Sequence, residues 1–241
     1  AAIEGAVVSA QALREQIAAG LEGAGAHASS KDPAWDAATG LWRAHSRLVG
    51  YMPDLVGRTR PVVPATAQLM ATLHRDVAGP LAVGGLISEA VVGCPRESAG
   101  LVENVKTAFA DGQLLEGRGL LEGGPGPNLG GQELRERLAQ IVALVDTPNL
   151  PALVRLALVH AEMLTVRPFA LANGALGRLL VRHLSVRDGL DPTGVSVSDY
   201  YAGRVPGAYA EAAQAYASAS LEGVVAWIIW QAEALLEGMR Q

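Results

Sequence analysis

The chain has 241 residues, half of them hydrophobic, a formal net charge of -5 and a single cysteine. That length and apolar fraction allow a sizeable buried core. The mild acidity argues against nucleic acid as a partner, which asks for a basic face, and the lone Cys94 excludes an internal disulfide and a cysteine-rich zinc site.

Val7 to Leu21 carries apolar residues at helical spacing, and Gly23 to Pro33 reads as a loop of small and polar residues. Asp36 to Val49 is expected to be a helix with Trp42 and Leu48 facing inward. Breaks follow at Gly50 to Pro53 and Arg58 to Pro64, then a helix from Ala65 to Val77. Gly79 to Gly100 reads as irregular, with Leu86-Ile87-Ser88 and Ala90-Val91-Val92 as short strand pieces. Ser98 to Ala110 has a helical pattern, and Gly117 to Gly131 is a glycine-rich connector without the lysine and hydroxyl residue of a phosphate-binding P-loop. Gln132 to Val145 is the next helix. No apolar run reaches the length needed to cross a bilayer, so no membrane role is expected. No basic leader precedes an apolar segment, which makes the expected location cytoplasmic.

The densest information lies between Leu150 and Arg187. Leu150 to Leu164 is almost wholly apolar, interrupted by Arg155, His160 and Glu162, and predicts a helix buried on most sides. Pro168 disfavours helical backbone at Arg167 and marks its end. Asn173-Gly174 is a turn signal, after which Leu176, Leu179, Leu180 and Leu184 recur at helical spacing. The expected unit is helix, tight loop, helix. The second helix would offer backbone N–H groups and a positive dipole end to an anion. Arg167, Arg178, Arg182 and Arg187 cluster in sequence around this loop. They either line a phosphate or carboxylate pocket or pair with acids such as Glu162 and Asp188.

Read in frame, Arg167 to Arg178 resembles the signature of the Fic (Fic/Doc) family, H-x-F-x-[D/E]-G-N-G-R-x-x-R. Phe169, Asn173, Gly174 and Arg178 match it, and Pro168 and Gly177 are common choices at its variable positions. Arg167 stands at the catalytic histidine, Leu171 at the metal-binding acid, Ala172 at the first glycine and Ala175 at the first arginine. Ala1 to Gly5 resembles the end of the family's inhibitory motif, which implies that Glu4 reaches Arg178 and blocks placement of the ATP γ-phosphate. Leu73-His74-Arg75 resembles a family tripeptide ahead of the flap that docks a target strand. Tyr200-Tyr201, Tyr209 and Trp227 to Trp230 resemble the closing helices. The resemblance implies a mainly α fold, a Fic-like helical bundle with a small β-hairpin flap. Residues 1–64 would form a helical N-terminal part and residues 65–241 the Fic core, together a single domain.

The resemblance also implies transfer of AMP from ATP to a protein hydroxyl. Arginine cannot lose its proton at working pH, so Arg167 can stabilise a phosphoryl anion but cannot act as the base. Leu171 has no oxygen for magnesium, which makes magnesium doubtful while ATP stays a candidate ligand. His160, two turns up the helix from Arg167, is the first candidate for a replacement base, with His183 and Glu162 behind it; a histidine on an apolar helix is otherwise a hydrogen-bonded core residue. Asn173, Gly174, Gly177 and Arg178 are the expected anion or nucleotide contacts. Three readings follow: a nucleotidyl or phosphoryl transferase with altered chemistry, an inactive Fic-fold module that binds a ligand or a protein target, and an enzyme repurposed for a small anionic metabolite. The small-residue stretch Ala210 to Ala219 is a candidate face for a homo-oligomer.

Overall fold

The computed structural model describes residues 2–3, 6–7, 33–52, 64–97 and 129–240. The sequence expectations for Glu4, for 8–21, for 23–32, for 58–63, for the helix at 98–110 and for residues 117–128 of the glycine-rich connector lie outside them. Val7, expected to open a helix, instead belongs to a two-stranded antiparallel pair, β1 (Ala2–Ile3) with β2 (Ala6–Val7), in which Ala2 is opposite Val7.

Eight α-helices follow among the described residues: α1 (Pro33–Tyr51), α2 (Ala67–Val83), α3 (Gly131–Val145), α4 (Ala152–Val166), α5 (Asn173–Arg187), α6 (Ser198–Arg204), α7 (Pro206–Ala217) and α8 (Leu221–Met239). The fold is mainly α, as expected. α4 and α5 form the central pair. α1 and α2 pack together against α5, α3 lies along α4, and α8 packs on α7, α6 and α4. β2 rests on α1 and β1 on α6.

The apolar spacing explains the core. Leu176, Leu179, Leu180 and Leu184 of α5 are all fully buried, as are Leu156, Val159 and Met163 of α4. In α1 the inner face is Ala37, Leu41, Ala44 and Leu48; Trp42 lies one position off that stripe and is exposed. Gly40 permits the close crossing of α1 and α2, since a Cβ there would sit 2.1 Å from the Val77 carbonyl oxygen. Trp227 ties α8 to α4 by donating to the Ala157 carbonyl at 2.7 Å. Part of the Ala210 to Ala219 stretch is used inside the chain, where the Ala215 carbonyl meets Gly223 of α8.

Two expectations are corrected. α2 runs through Gly79 and Pro80 to Val83, because Pro80, Leu81 and Ala82 are buried and that packing outweighs the missing N–H. The stretch 84–97 holds turns and a short 3-10 helix, Glu89–Val91, in place of the two strand pieces. The Ser88 side chain accepts from the Ala90 N–H, and Gly85 and Gly93 take positive φ, so the local hydrogen bonds favour turns. No β-hairpin flap occurs among the described residues of this region. No helix of the described residues is long and apolar enough to cross a membrane.

Candidate functional site

The loop between α4 and α5 is held from three sides. α4 ends at Arg167, whose backbone is left-handed (φ 50°, ψ 63°) and whose N–H donates to the Met163 carbonyl. Ala172 at the start of α5 is also left-handed, with φ 61°. Asn173 then braces the turn: its Oδ1 accepts from the Phe169 N–H at 3.0 Å and its Nδ2 donates to the Phe169 carbonyl at 2.9 Å. The positive φ angles therefore fall on Arg167 and Ala172, and Gly174, read from sequence as a turn residue, lies inside α5.

Phe169 is buried and stacks on His74 of α2, ring centroids 4.5 Å apart. His74 Nδ1 accepts from the Gly93 N–H at 2.8 Å, which puts its proton on Nε2. Burial pushes His74 down to about 4, against the pull of a Leu171 backbone group. Arg96 closes the third side. Its guanidinium donates to the carbonyls of Arg167, Val166 and Leu129, capping the C-terminal end of α4, and its own N–H donates to the Pro168 carbonyl.

Every residue from Pro168 to Ser185 is buried. Arg167 is half-buried beside Arg96, and burial lowers both guanidinium groups, Arg96 further through the charge of Arg167. Arg178, the expected phosphate contact, is fully buried and held by an acid that the sequence did not single out. Its Nε donates to Asp199 Oδ1 at 2.7 Å and its Nη1 to the Tyr209 hydroxyl at 3.3 Å, with the guanidinium 5.6 Å from the Tyr209 ring centre. Asp199 Oδ2 accepts from His45 Nε2 at 3.1 Å, while His45 Nδ1 accepts from Arg182 at 2.9 Å. Arg182 also donates to the Gly194 carbonyl. Asp199 is held well below the usual carboxylate range: Arg178 and His45 overcome the opposing effect of burial.

The chain of hydrogen bonds continues on the other side of Arg178. The Tyr209 hydroxyl lies 3.0 Å from His160 Nε2, and His160 Nδ1 lies 2.8 Å from Gln231 Oε1. One assignment satisfies all of them: Arg178 donates to Tyr209, Tyr209 to His160 Nε2, and His160 Nδ1–H to Gln231. His160, expected near the chemistry, is thus enclosed by Tyr209, Trp227 and Gln231 with both ring nitrogens engaged. Burial pushes it to about 4, opposed by Gln231 and Asp199. This geometry suits a structural, neutral imidazole. Among the other base candidates, Glu162 binds Arg137 and the Tyr216 hydroxyl, each at 2.8 Å, and His183 is buried. Arg187 points to Asp146, Asp188 and the Val145 carbonyl at the far end of α5, so the four arginines do not gather at the loop.

Gly177 is where α5 touches His160: a Cβ would lie 2.2 Å from the ring Cδ2. In an ordinary helix interior Gly→Ala is stabilising by roughly 1 kcal/mol. Here the ring is locked by two hydrogen bonds and cannot swing away, so Gly177→Ala is expected to destabilise by about 1–3 kcal/mol. A urea midpoint that rises in this variant would refute the packing described.

No family model matches the chain, and no curated protein matches it. Among solved structures it is similar to a fragment of Fic-1 from C. elegans, with a TM-score of 0.62 and 16% sequence identity over 99% of this chain and 60% of that one. It is also similar to a glutamate-to-glycine variant of the same fragment, with a TM-score of 0.59, 16% identity and 98% and 59% coverage. The chain has a Fic-type fold. It spans about 60% of the length of those structures. The resembled signature carries a metal-binding acid at the position of Leu171, whose buried apolar side chain offers magnesium no oxygen. The loop therefore does not fit the metal.

Proposed function

We propose that this Fic-like chain is a binding module in which the loop from Arg167 to Arg178 keeps its shape without standard AMP-transfer chemistry. The observation that carries the reading is the ion pair of Arg178 with Asp199. The guanidinium best placed by sequence to meet a phosphate is already neutralised inside the protein. Arg167 cannot serve as a base, and Asn173 is occupied in bracing Phe169. The left-handed backbone at Ala172 suits the glycine that the resembled signature carries there, which supports a retained loop shape. The ligand on this reading is a protein target or a small anionic molecule.

One observation favours a second reading, transfer chemistry on a phosphate-bearing substrate. Arg167 and Arg96 sit together at the loop with their charges opposing one another. An anion at the half-buried Arg167 would offset that repulsion through charge-assisted hydrogen bonds.

Calorimetric titration of ATP, with and without magnesium, into the wild-type protein, Glu4→Gly and Asp199→Asn separates the two. The binding-module reading expects no heat in any folded form. Magnesium-dependent binding by the wild type would overturn it. Binding that emerges only in Asp199→Asn or Glu4→Gly would move the assignment to the second reading, with the nucleotide pocket closed by an internal acid.

A further inference from the structure

The chain has four tryptophans and five tyrosines, and two of the former and three of the latter meet in one group on α6, α7 and α8. Tyr201 of α6 lies 5.8 Å from Trp230, ring centre to ring centre. Trp230 stacks on Trp227 at 5.2 Å, and Trp227 lies 6.4 Å from Tyr216 of α7. All three separations are those of aromatic pairs in contact. Both indoles are buried, while Tyr201 and Tyr216 are half-buried. The row therefore runs from the surface into the core and back to the surface.

The protons along the row are arranged in a way that packing does not require. Trp227 Nε1–H donates to the Ala157 carbonyl, which is no base, and the buried Trp230 Nε1–H meets no acceptor among the described residues. Neither indole has a group to take its proton. The two tyrosines do: Tyr201 donates to Glu233 at 3.0 Å and Tyr216 to Glu162 at 2.8 Å. Burial and the facing carboxylate raise both phenols above their usual value, so both are protonated at neutral pH. Loss of one electron makes an aromatic side chain a strong acid. An oxidised indole in this row keeps its proton and stays oxidising, whereas an oxidised tyrosine passes its proton to the carboxylate and rests as a neutral radical. Tyr209, which touches both indoles, differs. Its hydroxyl faces His160 beside the Arg178 guanidinium, and a proton moved there would make a second buried cation. Glu162 is also paired with Arg137, which favours its charged form and makes it the poorer proton acceptor.

We infer that Tyr216, Trp227, Trp230 and Tyr201 form a path that carries oxidising equivalents out of the core to Tyr201. A peroxyl radical takes one electron from the row and becomes a hydroperoxide anion. The electron deficit moves from ring to ring until Tyr201 supplies the electron and Glu233 receives its proton, which passes through water to the hydroperoxide anion. A thiol at the surface then returns a hydrogen atom to the Tyr201 radical and leaves as a thiyl radical. The path spares Trp227 and Trp230, the indoles that pack α8 on the bundle, from irreversible ring oxidation.

The test is a short ultraviolet laser flash that photoionises tryptophan in the 241-residue chain, with dissolved oxygen taking up the electron and transient absorption reading the radicals. The indole radical is expected to decay as a tyrosyl radical rises, at a rate independent of protein concentration. Tyr201→Phe, which removes only a hydroxyl, should at least halve the tyrosyl yield, and Tyr200→Phe, outside the row, should leave it unchanged. Glu233→Gln should slow the rise several-fold while circular dichroism and the melting temperature stay at the wild-type values. An indole radical that decays without a tyrosyl rise, a yield indifferent to Tyr201→Phe, or a rise that scales with protein concentration would overturn the inference.

Discussion

Asp199→Asn is expected to lower the unfolding free energy by about 3 kcal/mol or more, the largest single-residue effect expected at the site. Arg178 is fully buried and Asp199 nearly so, and their contact is charge-assisted at 2.7 Å. Removing one partner strands a guanidinium in a medium that cannot solvate it. Asparagine keeps the shape, so the loss reports charge and proton count and not a cavity. The amide also meets a second difficulty. His45 Nδ1 already accepts from Arg182, so its Nε2 carries a proton and needs an acceptor at the position of Asp199 Oδ2. Replacing both charges together, Arg178→Met with Asp199→Leu, should cost less than the sum of the two single changes, since a buried pair can be exchanged for apolar packing at little net loss. Urea unfolding followed by tryptophan fluorescence measures all four corners. The sign with pH is fixed by the direction of the shift. A folded carboxylate held below its unfolded value, about 3.9, contributes fully above that value and loses its contribution only as pH falls towards the folded one. The difference between wild type and Asp199→Asn should therefore stay constant from about pH 5 to pH 8. A difference within 0.5 kcal/mol of zero would show that the pair does not organise the site.

The helices of this core were legible because their signals are local. The apolar run of α4, the leucine spacing of α5 and the stop at Pro168 each lie within a few residues of what they determine. Pro80 misled because the residues around it are buried, and burial is a tertiary fact. The site divides in the same way. Phe169, Asn173, Gly174 and Arg178 were visible as a motif, and the tight loop they form is present, although its positive φ angles fall on Arg167 and Ala172 where sequence pointed to Gly174. The partners of those residues were not visible. Asp199 is 21 positions from Arg178, His45 is 154 from Asp199, and Arg96 is 70 from the Val166 carbonyl that it caps. In a single sequence Asp199 reads as an ordinary acid in the first turn of a helix, and nothing marks His45. His74 was visible only as part of a tripeptide, and its role there is to stack on Phe169. His160 shows the limit most clearly. Its spacing from Arg167 suggested chemistry, whereas its ring packs against Gly177 of α5, a residue read from sequence as an anion contact.

His74 and His160 also set the second large expectation, a loss of stability between about pH 6.5 and pH 4. Both imidazoles are buried and held neutral, each pushed down to about 4, with burial as the main cause. In the unfolded chain they titrate near 6.5. Between those values the unfolded state binds more protons than the folded one, so stability is fully present above about pH 6.5 and is lost as pH falls towards 4. The two shifts together are worth several kcal/mol, on the order of 3 kcal/mol each, which is comparable to the whole stability of an ordinary domain. The acid limb should thus be governed by histidine before the Asp199 pair begins to protonate. His160→Gln separates the contributions: it should cost stability at pH 7, where the bonds to Tyr209 and Gln231 are disturbed, and flatten the profile between pH 6.5 and 4. Asp199→Asn should shift the profile downwards without changing its slope in that window. Urea unfolding at half-unit steps from pH 7 to pH 4.5 checks this directly. A wild-type profile that stays level across that range would mean that the imidazoles are reached by protons in the folded state, and that the network from Gln231 to Asp199 is open to solvent.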